Sequence, residues 1–222
     1  MNKKNESYEI YIEDILHQAN KRENRICGDY FLCDRSPEAT VCILCDGLGS
    51  GIKANLAAMM CASRLKEAIR GEGSLYKACR HVAASMHRAR TENIPFSAFS
   101  VANILKDGQY TVLSYEMPPP ALITRDQVYL PGQRFFSMGH EVVAEITGRL
   151  TMGEGLLLVS DGITQAGMGH GKPYGWTAEA MAAYGDRLRR QGASDARLAE
   201  SVFQEAGAFS DRGFHDDTTV AV

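Results

Sequence analysis

Strands and helices fall in blocks along this chain instead of alternating, and that grouping restricts the fold more than any other feature. Three extended segments come first, about Tyr8–Glu13, Asp29–Cys33 and Thr40–Cys45, rich in β-branched and aromatic residues. Two helical stretches follow, each with apolar residues at helical spacing. In the first, about Ile52–Arg70, these are Ala54, Ala57, Ala58, Cys61, Leu65, Ala68 and Ile69; in the second, about Ser74–Arg90, they are Leu75, Ala78, Cys79, Val82, Met86 and Ala89. A meander comes next. "FSVANILK" and "QYTVLSY" are joined by Asp107-Gly108, a two-residue hairpin signal, and short strands follow near Ala121–Thr124, Val128–Leu130, Val142–Ile146 and Leu156–Ser160. Past the glycine-rich loop "ITQAGMGHGKPYGW", two more helices, about Ala178–Arg190 and Asp195–Ala208, begin at the caps Thr177 and Ser194. A last strand covers Thr218–Val222. Strict β-α-β alternation would imply a parallel sheet, whereas blocks of this kind predict α+β layers.

The 222 residues are expected to form one domain, 1–222, with 45% hydrophobic and 23% charged residues to divide between core and surface. A formal charge of −3 gives no electrostatic case for nucleic acid or an anionic membrane as partner. The first residues lack the apolar core of a signal peptide, and no segment approaches the ~20 apolar residues of a membrane-spanning helix. A cytoplasmic protein without membrane insertion is the expectation. Six cysteines without framework spacing suit that compartment as reduced thiols. Cys42 and Cys45 form a C-x-x-C, but three residues apart on a strand they face opposite sides, which predicts core thiols rather than a redox pair.

The chemistry concentrates at the ends of apolar runs. "CDGLGSG" follows "ATVCIL" and looks at first like a phosphate loop. A P-loop needs G-x-x-x-x-G-K-[ST], yet Lys53 is followed by Ala54 and the glycines are misplaced. A dinucleotide turn starting at Gly47 and Gly49 would need glycine where Ile52 stands, and Asp46 would repel a pyrophosphate. The aspartate itself recurs. "LLLVSDGIT" places Asp161 at the end of another apolar run, "FHDDTTVAV" places Asp216 and Asp217 before the last strand, and "CGDYF" places Asp29 at the start of an early one. A turn or a helix cap explains any one of these; it does not explain the set. Acids gathered at one sheet edge repel and resist burial, and divalent cations relieve both costs. All-oxygen ligands favour Mg²⁺ or Mn²⁺ over zinc, and Gly47 lets a carbonyl approach a metal closely.

Taken in order, "GDYF", "CDGLGSG", "SDGIT" and "HDDTTV" resemble the signature segments of the PPM phosphatases, most closely the bacterial SpoIIE-like branch, as does "MPPPALI". The resemblance runs from about Gly28 to Val222. It implies a four-layer α-β-β-α sandwich with a centre of two Mn²⁺ or Mg²⁺ ions. It also implies metal-dependent hydrolysis of phosphoserine or phosphothreonine on a partner protein, such as an anti-sigma-factor antagonist. Carried onto this sequence, Asp46 bridges two metals, the Gly47 carbonyl binds one, Asp161 and Asp216 ligate the other, Asp29 orients water, and Asp217 lies outside the ligand set. This chain departs from its relatives where some carry histidine, having Leu48 and Ser50 there instead. His215 is then a candidate proton donor, although a structural histidine fits as well. Arg22, Arg25 and Arg35 are near Asp29 in sequence but are not distinguished as phosphate ligands. The loop 165–176 reads either as a flap over the site or as a connection. Two rivals to the phosphatase stay open: a docking module on the same fold, and a metal hydrolase of small phosphate esters.

Overall fold

Along β3 (Ala39–Gly47), Val41, Ile43 and Cys45 enter one apolar cluster while Cys42 and Leu44 enter another. This alternation is the two-residue period of a strand, and it means that both faces of the sheet are covered. The computed structural model describes residues 9–21, 26–49, 51–210 and 213–222. Its strands form two sheets, in which every pairing among the described strands is antiparallel.

The six-stranded sheet runs in the order β2 (Asp29–Arg35), β3, β4 (Ser97–Leu105), β5 (Gln109–Tyr115), β9 (Glu141–Arg149), β8 (Arg134–Met138). The five-stranded sheet runs β1 (Leu16–Ala19), β11 (Thr218–Ala221), β10 (Gly155–Val159), β6 (Ala121–Ile123), β7 (Val128–Tyr129). Helices α1 (Ile52–Glu72) and α2 (Leu75–Thr91) close the outer face of the first sheet through Ala58, Cys61, Leu65, Cys79 and Val82. Helices α4 (Ala178–Arg190) and α5 (Asp195–Phe209) cover the second through Met181, Leu198 and Val202. Between the sheets lies a third cluster with Leu44, Ile104, Val112, Ile146 and Leu158. Three apolar clusters thus separate four layers, the α-β-β-α sandwich that the family resemblance implied.

The Asp107-Gly108 hairpin joins β4 to β5 as expected. Gly108 has φ +88°, and a Cβ there would stand 2.2 Å from the Leu150 carbonyl oxygen, so only glycine fits. The two caps are also in place. Thr177 accepts a bond from the Ala180 amide and Ser194 from the Arg197 amide. Cys42 and Cys45 face opposite sides of β3, with Cys42 in the layer between the sheets and Cys45 under α1, and all six cysteines are free.

Two expectations need correction. The expected strand Tyr8–Glu13 is not a strand at residues 9–13, and Tyr8 lies outside the described residues. Residues 9–15 instead cross from one sheet to the other. Ile10 donates its amide to Lys106 O and Ile15 donates to Val222 O, while Ile10 and Ile12 fill the space between the sheets. A segment lying across the sandwich cannot build a ladder along either edge. The strand comes later, as β1, which pairs Leu16 with Ala221. The sequence reading also passed over β8, whose exposed Phe135 sits on a sheet edge.

Candidate metal centre

Strand pairing sets two of the predicted residues side by side. In the β2–β3 ladder Asp29 stands directly opposite Asp46, one residue before β3 ends at Gly47. The five-stranded sheet brings the others. β10 ends at Val159, Ser160 caps the one-turn helix α3 (Asp161–Thr164), and Asp161 opens it. Asp216 and Asp217 precede β11, the neighbour of β10. Both sheets therefore present carboxylates at the same end of the sandwich. The Thr219 hydroxyl on β11 links them by donating to Asp29 Oδ2 at 2.6 Å. Ser160 fixes the β10–β11 end, its Oγ accepting from the Thr219 amide at 2.9 Å.

The electrostatics show how close these acids are. Burial pushes Asp46 up to about 10, with Asp29, Asp161 and Asp216 adding to the rise. Burial also raises Asp29 to about 6, against the Thr219 and Ser160 hydrogen bonds that favour its charged form. Asp161 is raised too, first by burial and then by Asp216. Asp216 thus acts on Asp46 and Asp161, whereas Asp217 acts on Asp29. The adjacent pair, in the turn before β11, thus has different acidic neighbours.

Burial divides them as well. Asp217 is buried, and its Oδ1 accepts from the Lys21 amide at 3.0 Å. Asp216 is half-exposed, and its Oδ1 meets both the Asp217 amide at 3.0 Å and Lys21 Nζ at 3.3 Å. Lys21 is the residue that sequence reasoning missed. It follows a strand that was itself unexpected, so nothing local pointed to the far end of the chain.

The donor set suits a hard divalent cation. It consists of carboxylates, and Asp29 Oδ1 and Asp217 Oδ2 are buried without a hydrogen-bond partner among the described residues. Among the described residues, no three or more His, Cys, Asp or Glu side chains are already gathered tightly enough to hold an ion. Gly47 has a packing reason of its own to be glycine. A Cβ there would stand 2.0 Å from the Ala54 carbonyl oxygen, so a larger residue would push α1 off the strand end.

The other candidates fall away from the acids or are occupied. Arg35 lies at the opposite end of β2 from Asp29, about 20 Å along the strand, where it pairs with Asp14 and donates to the Ile12 carbonyl. It is not a phosphate ligand here. Arg22, Arg25 and Ser50 lie outside the described residues. His215 Nε2 lies 3.1 Å from Ser210 O, and its ring stacks at 3.9 Å on His170 of the loop 165–176. That hydrogen bond and stack give His215 a structural place and hold the loop beside Asp216. Leu48 is exposed at the turn after Gly47.

Comparison with known proteins identifies the family. The family described as Stage II sporulation protein E (SpoIIE) matches residues 36–222. The phosphoserine phosphatase RsbX of Bacillus subtilis (strain 168) is 28% identical over 102 residues, covering 42% of this chain and 51% of RsbX, so the chain spans about half the length of that relative. Among solved structures, RsbX in complex with magnesium superimposes with a TM-score of 0.66 and 17% identity, over 94% of this chain and 92% of that one. The PP2C phosphatase domain of SpoIIE from Bacillus subtilis, solved with a fragment of its regulatory domain, gives 0.75 and 18%, over 94% and 60%. At these identities the structural likeness establishes the fold. With the family match spanning well over half of its length, the chain belongs to the SpoIIE family.

Proposed function

We propose that this protein is a metal-dependent serine/threonine protein phosphatase that acts on a phosphorylated regulatory protein in the bacterial cytoplasm. The observation that carries the proposal is the meeting of Asp29 and Asp46 from one sheet with Asp161 and Asp216 from the other, beside buried carboxylate oxygens that have no partner among the described residues. Asp46 and the Gly47 carbonyl, with Asp161 and Asp216, are the groups that would hold two Mg²⁺ or Mn²⁺ ions. When bound, the ions supply Lewis acidity toward water and toward the phosphoryl oxygens. Asp29, fixed by Thr219, orients the attacking water and accepts its proton. Asp217 holds the Lys21 backbone and stands outside the ligand set.

A named phosphoserine phosphatase among the relatives supports a phosphoprotein substrate. An anti-sigma-factor antagonist is the kind of switch protein that fits. The test is phosphate release from phosphoserine peptides and from nucleotides, with Mn²⁺ and with excess EDTA. Peptide turnover that requires Mn²⁺ is expected; equal turnover in EDTA, or a preference for nucleotides, would overturn the proposal.

A further inference from the structure

Helix α1 is apolar on two faces, and among the described residues only one of them is used by the fold. Ala54, Ala58, Cys61, Ala62 and Leu65 enter the core. Ile52, Leu56, Met59 and Met60, at offsets of four, seven and eight residues, form a second stripe that is exposed; Ile52 and Met60 each keep 63% of their surface. The stripe runs about 12 Å along the helix. It begins at the candidate centre, since exposed Leu48 is two residues past Asp46. The Leu48 amide donates to Phe96 O at 2.9 Å, which brings exposed Ile94 to the same rim.

From this surface we infer a docking site for the phosphorylated partner, specifically for an apolar segment with acidic neighbours that flanks the phosphorylated residue. The inference rests on the phosphatase proposal above. Charge chooses the occupant. Along the stripe Lys53 and Arg64 are exposed cations, and no acid stands between Gly47 and Lys66, which itself pairs with Glu67, within a chain of net charge −3. Two copies of the chain meeting through this face would set Lys53 and Arg64 against basic residues of the same kind. A partner that brings a phosphate and acidic side chains meets the opposite sign. Reach chooses it as well. A small phosphate ester in the metal centre would not extend along two turns of helix, whereas a polypeptide would. Methionines at two of the four positions give a deformable surface suited to peptide side chains.

The test uses three probes: a phosphoserine peptide flanked by leucine and glutamate, the same peptide flanked by serine and lysine, and para-nitrophenyl phosphate. The wild-type protein should favour the first peptide, through KM, by about tenfold. The double variant Leu56→Ser/Met60→Ser should lose that preference while its rate on para-nitrophenyl phosphate is unchanged. Lys53→Glu should weaken the glutamate-flanked peptide selectively. Affinities of the labelled peptides measured by fluorescence anisotropy separate the two proposals. Preference for the first peptide without any turnover would leave the docking site standing and defeat the phosphatase. Turnover of all three probes with no flank preference, or a preference the double variant retains, would overturn the docking site. So would a wild-type dimer in solution that the double variant dissolves, because a second copy would then be the occupant.

Discussion

Asp216 and Asp217 are chemically identical neighbours with different surroundings. One is half-exposed and acts on Asp46 and Asp161; the other is buried against Asp29 and holds a backbone amide. Asp216→Asn is expected to weaken Mn²⁺ binding by about 100-fold or more. Asp217→Asn should cost about tenfold or less, because an amide oxygen can still accept the Lys21 bond. Calorimetric metal titration of the two folded variants checks the order, and the reverse order would place the ligand at the second position. The sequence led one to expect different surroundings for these two, and in the turn before β11 one is half-exposed and the other buried. Lys21 was not legible, since its position beside Asp216 follows from the β1–β11 pairing across nearly the whole chain.

Among the elements, α4 begins under strain. Thr177 caps it with its hydroxyl but has φ +62° and ψ +152°, a region that side-chain-bearing residues seldom occupy. Thr177→Ala should destabilise the protein by about 1 kcal/mol, because the cap is lost and the strain is kept. Thr177→Gly should be at least as stable as the wild type, since relief of the backbone strain offsets a cap loss of a few tenths of a kcal/mol. Chemical denaturation of the two variants compares them directly, and equal losses would show that the backbone is relaxed there. The caps and the long helices could be read from local signals. Strand β1, "LHQA", could not: it has no β-branched residue, and its exposed edge position asks for none. The segment 9–15 misled for the opposite reason, because Ile10 and Ile12 alternate like a strand while serving the space between two sheets.

For the molecule as a whole, the gathered acids tie stability to pH. Asp46 at about 10 and Asp29 at about 6 both stand above the ordinary 3.8. Between those values and 3.8 the folded protein holds protons that the unfolded chain has released, so stability falls as pH rises. The contribution of Asp29 is lost between about pH 4 and 6, and that of Asp46 continues to be lost toward about 10. The Tm of the cation-free protein should therefore decline across neutral pH. Saturating Mg²⁺ should raise the Tm more at about pH 8 than at about pH 5.5, because a cation selects the deprotonated carboxylates. A cation-induced rise independent of pH would contradict this. The layered fold was legible because blocks of elements leave few ways to cover both sheets. The state of the acids was not, since it depends on how far the two strand ends bury them.

The Thr219–Asp29 hydrogen bond joins two sheets whose other shared boundary is a layer of hydrocarbon. If the proposed ligands from the two sheets held one ion, that ion would act as a cross-link, and parting the halves of the molecule would then mean breaking coordination. Amide hydrogen exchange should register this. On addition of Mn²⁺, exchange in β3 and β11 is expected to slow together although they belong to different sheets, while the Asp107-Gly108 hairpin keeps its rate. Slowing confined to one sheet would mean that the ion sits on that half alone.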